Sequence, residues 1–282
     1  MVSPVWLVLV GILSVQFGAG IAKSLFDEVA PTTIVWLRLA TSAIVLVLIA
    51  RPTLRGKTRS DWLVAVALGA SLGVMNWAIY QSFLRIPLGV AVTLEFVGPL
   101  TLAVAGSRRA RDLLWVVLAG AGVAVLGLSG SGGSLSVAGV LFALLAGGCW
   151  AAYILLSAQT GRRWPGLDGL AVASVVAMLV LTPAAIGTGG ADLLDPRILL
   201  LGAAVGLLSS VIPYSCEMVA LRTIRPSVFS ILMSLEPAAA ALAGILVLEE
   251  FLTGEQWLAM LFIIIASVGA TRSQRTVAPA PD

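Results

Sequence analysis

Long apolar runs recur along the whole chain, separated by short stretches that hold the turn-forming residues and most of the charged ones. A helix needs about 20 residues to cross the hydrocarbon at 1.5 Å per residue. The pattern predicts ten such segments, at 5–22, 32–50, 62–80, 88–106, 113–129, 137–157, 169–187, 198–219, 227–248 and 256–272. We therefore expect an all-α integral membrane protein with ten transmembrane helices.

Composition agrees with this pattern. Hydrophobic residues make up 59% of the 282 positions and charged residues only 11%, with a mean hydropathy of +1.05. Soluble domains carry about 25% charged residues, so this surface suits lipid. The first segment has no basic region before it and no small-residue cleavage site after it, so we expect a retained helix and no signal peptide.

The basic residues predict how the bundle is oriented. If the N-terminus is cytoplasmic, the cytoplasmic loops and the C-terminal tail hold 13 of the 17 lysines and arginines. Cytoplasmic loops of membrane proteins are enriched in Lys and Arg. We therefore expect both termini in the cytoplasm. The net charge of +3 follows from this topology, so we expect no nucleic-acid partner.

A glycine-rich stretch at 130–134 divides the segments into two sets of five, which predicts repeats at 1–130 and 131–282, the latter with a cytoplasmic tail from about 272. Because five is odd, equivalent helices run in opposite directions. A glutamate beside a proline marks both halves, at 95–99 and at 236–237. Two inverted five-helix repeats are a common plan of secondary transporters.

Four ionisable residues lie within the predicted helices: Arg38, Glu95, Glu217 and Glu236. Each costs roughly 2.5–3.5 kcal/mol on membrane-insertion scales and therefore indicates a function. The predicted helices that carry Glu95 and Glu236 cross the bilayer in opposite directions, and both glutamates lie near its middle. They are candidate ligands for an ammonium group, although a structural pair with Arg38 is the alternative. Arg38 is either a structural counter-ion or a contact for a substrate carboxylate.

Further candidates are prolines, amides and aromatic residues. A proline removes a backbone N–H and frees a carbonyl one turn earlier, so the prolines predict hinges at Pro99, Pro213 and Pro237. Asn76 and Tyr80 are four residues apart and share one face of the third segment. The remaining candidates for the wall of a cavity are Gln16, Trp150, Tyr153 and Tyr214, although Trp and Tyr also serve as anchors at the membrane interface.

Several chemistries are excluded or unsupported. The chain has no histidine, which rules out Ser–His nucleophiles and zinc sites of the H-E-x-x-H type. A sequence at 56–58 resembles the end of a phosphate-binding loop, but Arg51 stands where its first glycine should be. Cys149 and Cys216 lie in separate apolar segments and are expected to be packing residues. We predict no enzyme activity, no cofactor and no metal site.

Five strings resemble the drug/metabolite transporter superfamily, in its ten-helix, EamA-type branch. They are QFGAGIAKSLFDEV at 16–29, IPLGVAVTLEFVGPL at 86–100, GCWAAYILLS at 148–157, IPYSCEMVAL at 212–221 and LMSLEPAAAALAG at 232–244. The resemblance implies an inverted repeat around a central cavity. It also implies that Glu95, Pro99, Glu217, Glu236 and Pro237 belong to the site.

The resemblance further implies export of small amino acids, of the threonine and homoserine kind, across the bacterial inner membrane. Buried carboxylates without histidine suggest exchange against protons. The alternatives are an uncoupled facilitator, an exporter of another amphipathic metabolite or drug, and a structural subunit of a membrane complex. The expected partners are a small solute, the lipid bilayer and protons, and both a monomer and a homodimer are compatible with the sequence.

Overall fold

The structure is a computed structural model, which describes residues 4–105, 113–128, 135–221 and 226–273. These ranges contain α-helices and short helical turns and no strand. The helices are Pro4–Ser24 (α1), Pro31–Ala50 (α2), Arg59–Phe83 (α3), Leu88–Glu95 (α4), Val97–Ala105 (α5), Leu113–Leu128 (α6), Val137–Gly161 (α7), Asp168–Gly189 (α8), Pro196–Gly206 (α9), Ile212–Leu221 (α10), Pro226–Met233 (α11), Glu236–Leu248 (α12) and Gly254–Ser273 (α13). The all-α fold class is confirmed.

The helices follow the predicted segments closely. Within the described ranges, nine spans are long and apolar enough to cross a membrane. The remaining predicted segment, 113–129, corresponds to α6, whose apolar part at Leu113–Leu126 is shorter than the other spans. A multi-pass membrane protein is therefore confirmed, and each predicted segment has its helix or pair of helices.

Local sequence explains where the helices begin and end. The α2 helix begins with Pro31, whose missing N–H is not needed in a first turn. Thr58 and Asp61 form a reciprocal capping box at the start of α3. Asp195 accepts a hydrogen bond from the backbone N–H of Arg197 and so caps α9. The polar residues between the apolar runs thus satisfy backbone groups that the helices leave free.

Three spans in the described part of the chain are broken inside the bundle. The α4 helix ends at Glu95 and α5 begins at Val97. A π-helical turn at Leu207–Val211 separates α9 from α10. A turn at 234–235 separates α11 from α12. The predicted hinge prolines follow these breaks, since Pro99 is third in α5 and Pro213 and Pro237 are second in α10 and α12, where proline is tolerated.

Contacts between the connections define the two ends of the bundle. The tail end holds the α2–α3 and α7–α8 connections, where Lys57 donates to the carbonyl of Arg163 over 3.0 Å and the backbone N–H of Thr53 donates to Asp168 over 3.0 Å. The loop end holds the α1–α2, α3–α4 and α12–α13 connections. The Lys23 ammonium donates there to the carbonyl of Ile86 over 2.9 Å.

The helix contacts follow a reciprocal pattern. The α3 helix packs on α7 and α8, while α10 packs on α1 and α9 packs on α2. The α4 helix packs on α12, α2 on α8 and α6 on α13. Counted by whole spans, exchanging the two predicted repeats turns the first set of contacts into the second and maps each of the last three span pairs onto itself.

Glycines bring backbones together beside the break at Glu95. Gly98 of α5 lies directly against Gly147 of α7, so that a Cβ at Gly98 would overlap the carbonyl group of Gly147. A Cβ at Gly147 would lie 2.5 Å from the carbonyl oxygen of Glu95. Small residues at membrane helix interfaces allow this close approach. The position of Glu95 therefore depends on this pair of glycines.

The close contact between Gly98 and Gly147 predicts that a methyl group added at Gly98 destabilises the protein. We expect Gly98→Ala to lower the free energy of unfolding by about 1–3 kcal/mol, because the backbones must separate to admit the Cβ. The unfolding midpoint of the purified protein in detergent would measure it. Gly148→Ala is the matched control, since a Cβ at Gly148 meets no atom within 4 Å. Equal unfolding midpoints for the two variants would contradict the packing described.

Candidate functional site

A cavity of about 600 Å³ lies where the broken spans meet. Its wall takes residues from both halves of the chain, including α1, α2, α3, α7 and α13 as well as the broken spans. It holds all three of the predicted carboxylates, Glu95, Glu217 and Glu236. Concave sites with a few convergent polar groups are the usual places for small-molecule ligands.

Two of the three carboxylates lie directly at helix breaks. Glu95 is the last residue of α4, Glu236 is the first residue of α12, and Glu217 follows the π-helical turn in the same span. Among the side chains that the structure describes, none of the three has a basic partner within 4.0 Å. The alternative of a tight Glu–Arg38 pair is therefore not formed. The described residues of the wall include three carboxylates and one guanidinium, that of Arg38.

Arg38 contacts the broken span formed by α9 and α10. Its Nη2 donates to the carbonyl of Ser209 over 3.0 Å, and its Nε donates to the Ser210 hydroxyl over 3.3 Å. Ser209 lies four residues before Pro213, which has no N–H to donate to that carbonyl. Ser14 of α1 donates in the same way to the carbonyl of Leu208 over 2.7 Å. Side chains of α1 and α2 thus satisfy backbone acceptors at the break.

Tyr80 lies behind Arg38 and outside the cavity wall. It is fully buried, and its ring centroid is 5.9 Å from that of Phe26 and 5.4 Å from that of Phe83. Its hydroxyl lies 3.5 Å from Nη1 of Arg38. Tyr80 therefore contacts the guanidinium and does not line the cavity, while its role as a substrate contact stays a prediction.

The other predicted residues divide between wall and surroundings. The wall includes Gln16, Asn76, Pro99, Trp150, Tyr153 and Pro213. Trp150 packs edge-on against Phe96 with centroids 4.9 Å apart. Pro237 is buried and does not line the cavity. The side chain of Tyr214 lies outside the described part of the chain.

The wall also contains residues that the sequence analysis did not select. Ser267 and Thr271 of α13 line the cavity, and the Ser267 hydroxyl lies 2.9 Å from that of Ser234. Ser209 belongs to the wall as well. The four-residue spacing of Ser267 and Thr271 on one helix face is the signal that could have identified them.

Exposure indicates which end of the cavity is open. Ile154 and Ser230 line its tail-end half, and both are exposed, Ile154 at 38%. Ala19 and Phe83 line its loop-end half and are 5% and 3% exposed. Within the described ranges, the loop-end half of the cavity is therefore lined by buried side chains, whereas its tail-end half includes exposed ones.

Comparisons with known proteins agree with this architecture. The model of the EamA-like transporter family matches residues 137–272. The chain is 41% identical to the threonine/homoserine exporter RhtA of Salmonella typhimurium (strain SL1344), over 96% of this chain and 94% of that protein. It is 40% identical to RhtA of Escherichia coli (strain K12), over the same shares.

Two more distant similarities extend this result. An uncharacterized transporter of Bacillus subtilis (strain 168), YwfM, is 30% identical over 77% of this chain and 82% of its own length. A protein of known crystal structure, 18% identical, matches 95% of this chain and 96% of its own chain with a TM-score of 0.59. The second similarity concerns the fold alone.

The similarity to the exporters covers 96% of the chain, so it takes in both halves. The compared relatives are transporters, and the apolar helices require a bilayer. The predictions of a membrane transporter without enzyme activity, and of a small-molecule substrate, are therefore confirmed. The chain belongs to the EamA-like transporter family of the drug/metabolite transporter superfamily.

Proposed function

We propose that the chain exports small amino acids of the threonine and homoserine kind across the bacterial inner membrane. The observation that carries this proposal is the presence of three carboxylates in one membrane cavity, two of them, Glu95 and Glu236, directly beside a helix break. The relatives named threonine/homoserine exporter, at 40–41% identity, support the substrate class.

In this proposal the ammonium group of the substrate binds to the carboxylates of Glu95, Glu217 and Glu236. A carboxylate within the membrane is costly unless it meets a counter-charge, and a primary ammonium supplies both charge and three hydrogen-bond donors. Pro99 has no N–H for the carbonyl of Glu95, four residues earlier, so this residue offers a backbone acceptor beside its carboxylate. An amino acid bound there replaces the water that the carboxylates would otherwise require.

Arg38 is the counterpart for the substrate carboxylate. A guanidinium carries five N–H donors, and contacts with Ser209, Ser210 and Tyr80 engage three of them. Arg38 belongs to the cavity wall, where its remaining donors meet the substrate carboxylate in this proposal. Arg38 thus combines two roles, since it holds the break in α9–α10 and offers a positive charge beside the carboxylates.

The transport cycle rests on two inverted five-helix repeats, 1–130 and 131–282. The reciprocal packing of α3 on α7 and of α10 on α1 supports this division. In such folds the halves rock around a site near the midplane. The distribution of basic residues supports cytoplasmic termini. The tail-end half of the cavity, with its exposed side chains, then lies on the side where an exporter takes up its cargo.

Exchange against protons supplies the driving force in this proposal. Glu95 or Glu236 releases its proton when the ammonium binds and takes up another after the substrate has left. The absence of histidine from the sequence leaves carboxylates as the groups of this cavity suited to carry the proton. An uncoupled facilitator would use the same cavity without this exchange.

Removing one carboxylate tests ammonium recognition. We expect Glu95→Gln and Glu236→Gln to lower transport of labelled threonine and homoserine by about ten- to hundredfold, because a charged hydrogen bond contributes about 1.5–3 kcal/mol. Initial rates in liposomes containing the purified protein would measure the loss. Glu217→Gln, nearer the tail end, is expected to have the smaller effect.

Glu28→Gln is the matched control for these variants. It makes the same chemical change at a side chain that is 54% exposed and pairs with Arg197 over 3.1 Å outside the cavity. We expect it to transport at the wild-type rate. Wild-type rates in both Glu95→Gln and Glu236→Gln would contradict the assignment of the carboxylates.

Proton coupling predicts a response to a pH gradient. With the side that receives the amino acid made more acidic, we expect faster net transport than at equal pH, because protons then move down their gradient in exchange. Flux into liposomes with and without the gradient, at clamped membrane potential, measures this effect. Equal flux in both conditions, together with saturable counterflow, would instead identify an uncoupled facilitator.

A further inference from the structure

An ion pair closes the loop end of the bundle. The Lys23 ammonium of α1 contacts the Glu250 carboxylate, which lies just beyond α12. The same ammonium donates to the carbonyl of Ile86 over 2.9 Å, and the second carboxylate oxygen accepts from the backbone N–H of Leu88 over 2.8 Å. We call these four residues the loop-end clamp. It joins α1, the start of α4 and the end of α12.

The chemistry of the clamp makes it more than a surface contact. The side chains of Lys23 and Glu250 are only 14% and 21% exposed, so solvent screens their attraction less than that of an exposed pair. Pro87, at the N-cap of α4, makes no capping hydrogen bond through its side chain. Glu250 supplies this cap from another helix and places a negative charge at a helix N-terminus, where it is favourable.

Glu250 is itself held in place by the end of α12. Its backbone N–H donates to the carbonyl of Gly244 over 3.0 Å. The preceding residue, Glu249, ends the helix in a left-handed conformation with φ of 55°. This turn directs the chain back over the loop end, so the carboxylate of Glu250 reaches both Lys23 and Leu88.

The clamp acts on the two short helices that carry the proposed ammonium ligands. The α4 helix runs from Leu88 at the clamp to Glu95 in the cavity, and α12 runs from Glu236 in the cavity to Leu248 beside the clamp. The two helices pack directly on each other, with Gly89 against Ala241. A path from the cavity to the loop end that separates these helices and α1 breaks the clamp.

We propose that Lys23 and Glu250 form the loop-end gate of the transport cycle. The ion pair is made while the cavity is open at the tail end, and it opens when the cavity empties at the loop end. The clamp thereby shifts the resting protein toward the state that is ready to take up cargo. This inference rests on the alternating-access cycle proposed above, while its test needs no transported substrate.

Accessibility of a single introduced cysteine reports the state of the gate. Ala19 lines the loop-end half of the cavity and is 5% exposed, so Ala19→Cys is placed in a chain that also carries Cys149→Ala and Cys216→Ala. Spheroplasts are treated with a membrane-impermeant maleimide, which reaches the protein from the outer side. With the clamp intact, we expect slow labelling.

Breaking the ion pair should raise the labelling rate. Glu250→Gln keeps an oxygen acceptor for the N–H of Leu88 but removes the charge, and we expect labelling of the introduced cysteine to become roughly five- to tenfold faster. Lys23→Met removes the other partner and should give the same direction of change. The matched control is Glu249→Gln, which removes the adjacent, exposed carboxylate and should label at the parent rate.

Two results would overturn the gate. One is parent-like labelling in both Glu250→Gln and Lys23→Met, with both variants monodisperse in detergent. The other is fast labelling of the parent chain, since the loop end would then be open or would not face outward. A chain that moves no amino acid in liposomes but shows the expected labelling would contradict the proposed cargo and leave the gate intact.

Discussion

The need to pair every backbone N–H and C=O within the bilayer shapes this protein more than any other constraint. Water cannot satisfy these groups in the hydrocarbon, so a break in a spanning helix requires partners from the protein itself. In the described ranges three spans are broken, and a proline follows each break. At the π-helical turn these partners are side chains of other helices. Arg38 donates a hydrogen bond to the carbonyl of Ser209, and Ser14 donates one to the carbonyl of Leu208.

The same breaks create the site. Two of them place a carboxylate at a helix end, Glu95 at the end of α4 and Glu236 at the start of α12, and the third lies in the span that carries Glu217. Acidic side chains and backbone acceptors thus converge on one cavity. The described part of its wall carries three carboxylates and one guanidinium, an excess of negative charge that suits a solute with an ammonium group. The ion pair between Lys23 and Glu250 lies at the loop end of the bundle, while the tail-end half of the cavity includes exposed residues.

Much of the fold could be predicted from the sequence because membrane insertion imposes a pattern along a single dimension. The length of an apolar run predicts a span, the charge of a loop predicts its side of the membrane, and a proline predicts a helix break. Each of these signals is read from a short stretch of the sequence. The carboxylates were predictable for the same reason, since an acidic residue inside an apolar run is costly wherever it points.

Features that depend on contacts between distant segments were harder to predict. Tyr80 shares a helix face with Asn76, but the sequence does not show that Tyr80 is fully buried and contacts Arg38 without lining the cavity. Ser267 and Thr271 look like ordinary small polar residues until α13 packs beside the broken spans. Lys23 and Glu250 lie at segment ends, where charged residues are common, so their pairing across the bundle is visible only in the folded protein.

The central claim is that the cavity recognises the amino group of its cargo through Glu95, Glu217 and Glu236. The most direct test compares homoserine with 4-hydroxybutanoate, which has the same carbon chain, carboxylate and hydroxyl but no amino group. Displacement of labelled homoserine from the purified protein gives both affinities. Loss of the ammonium should weaken binding by about tenfold or more, since a charged hydrogen bond contributes about 1.5–3 kcal/mol. Equal affinities for the two compounds would contradict the account.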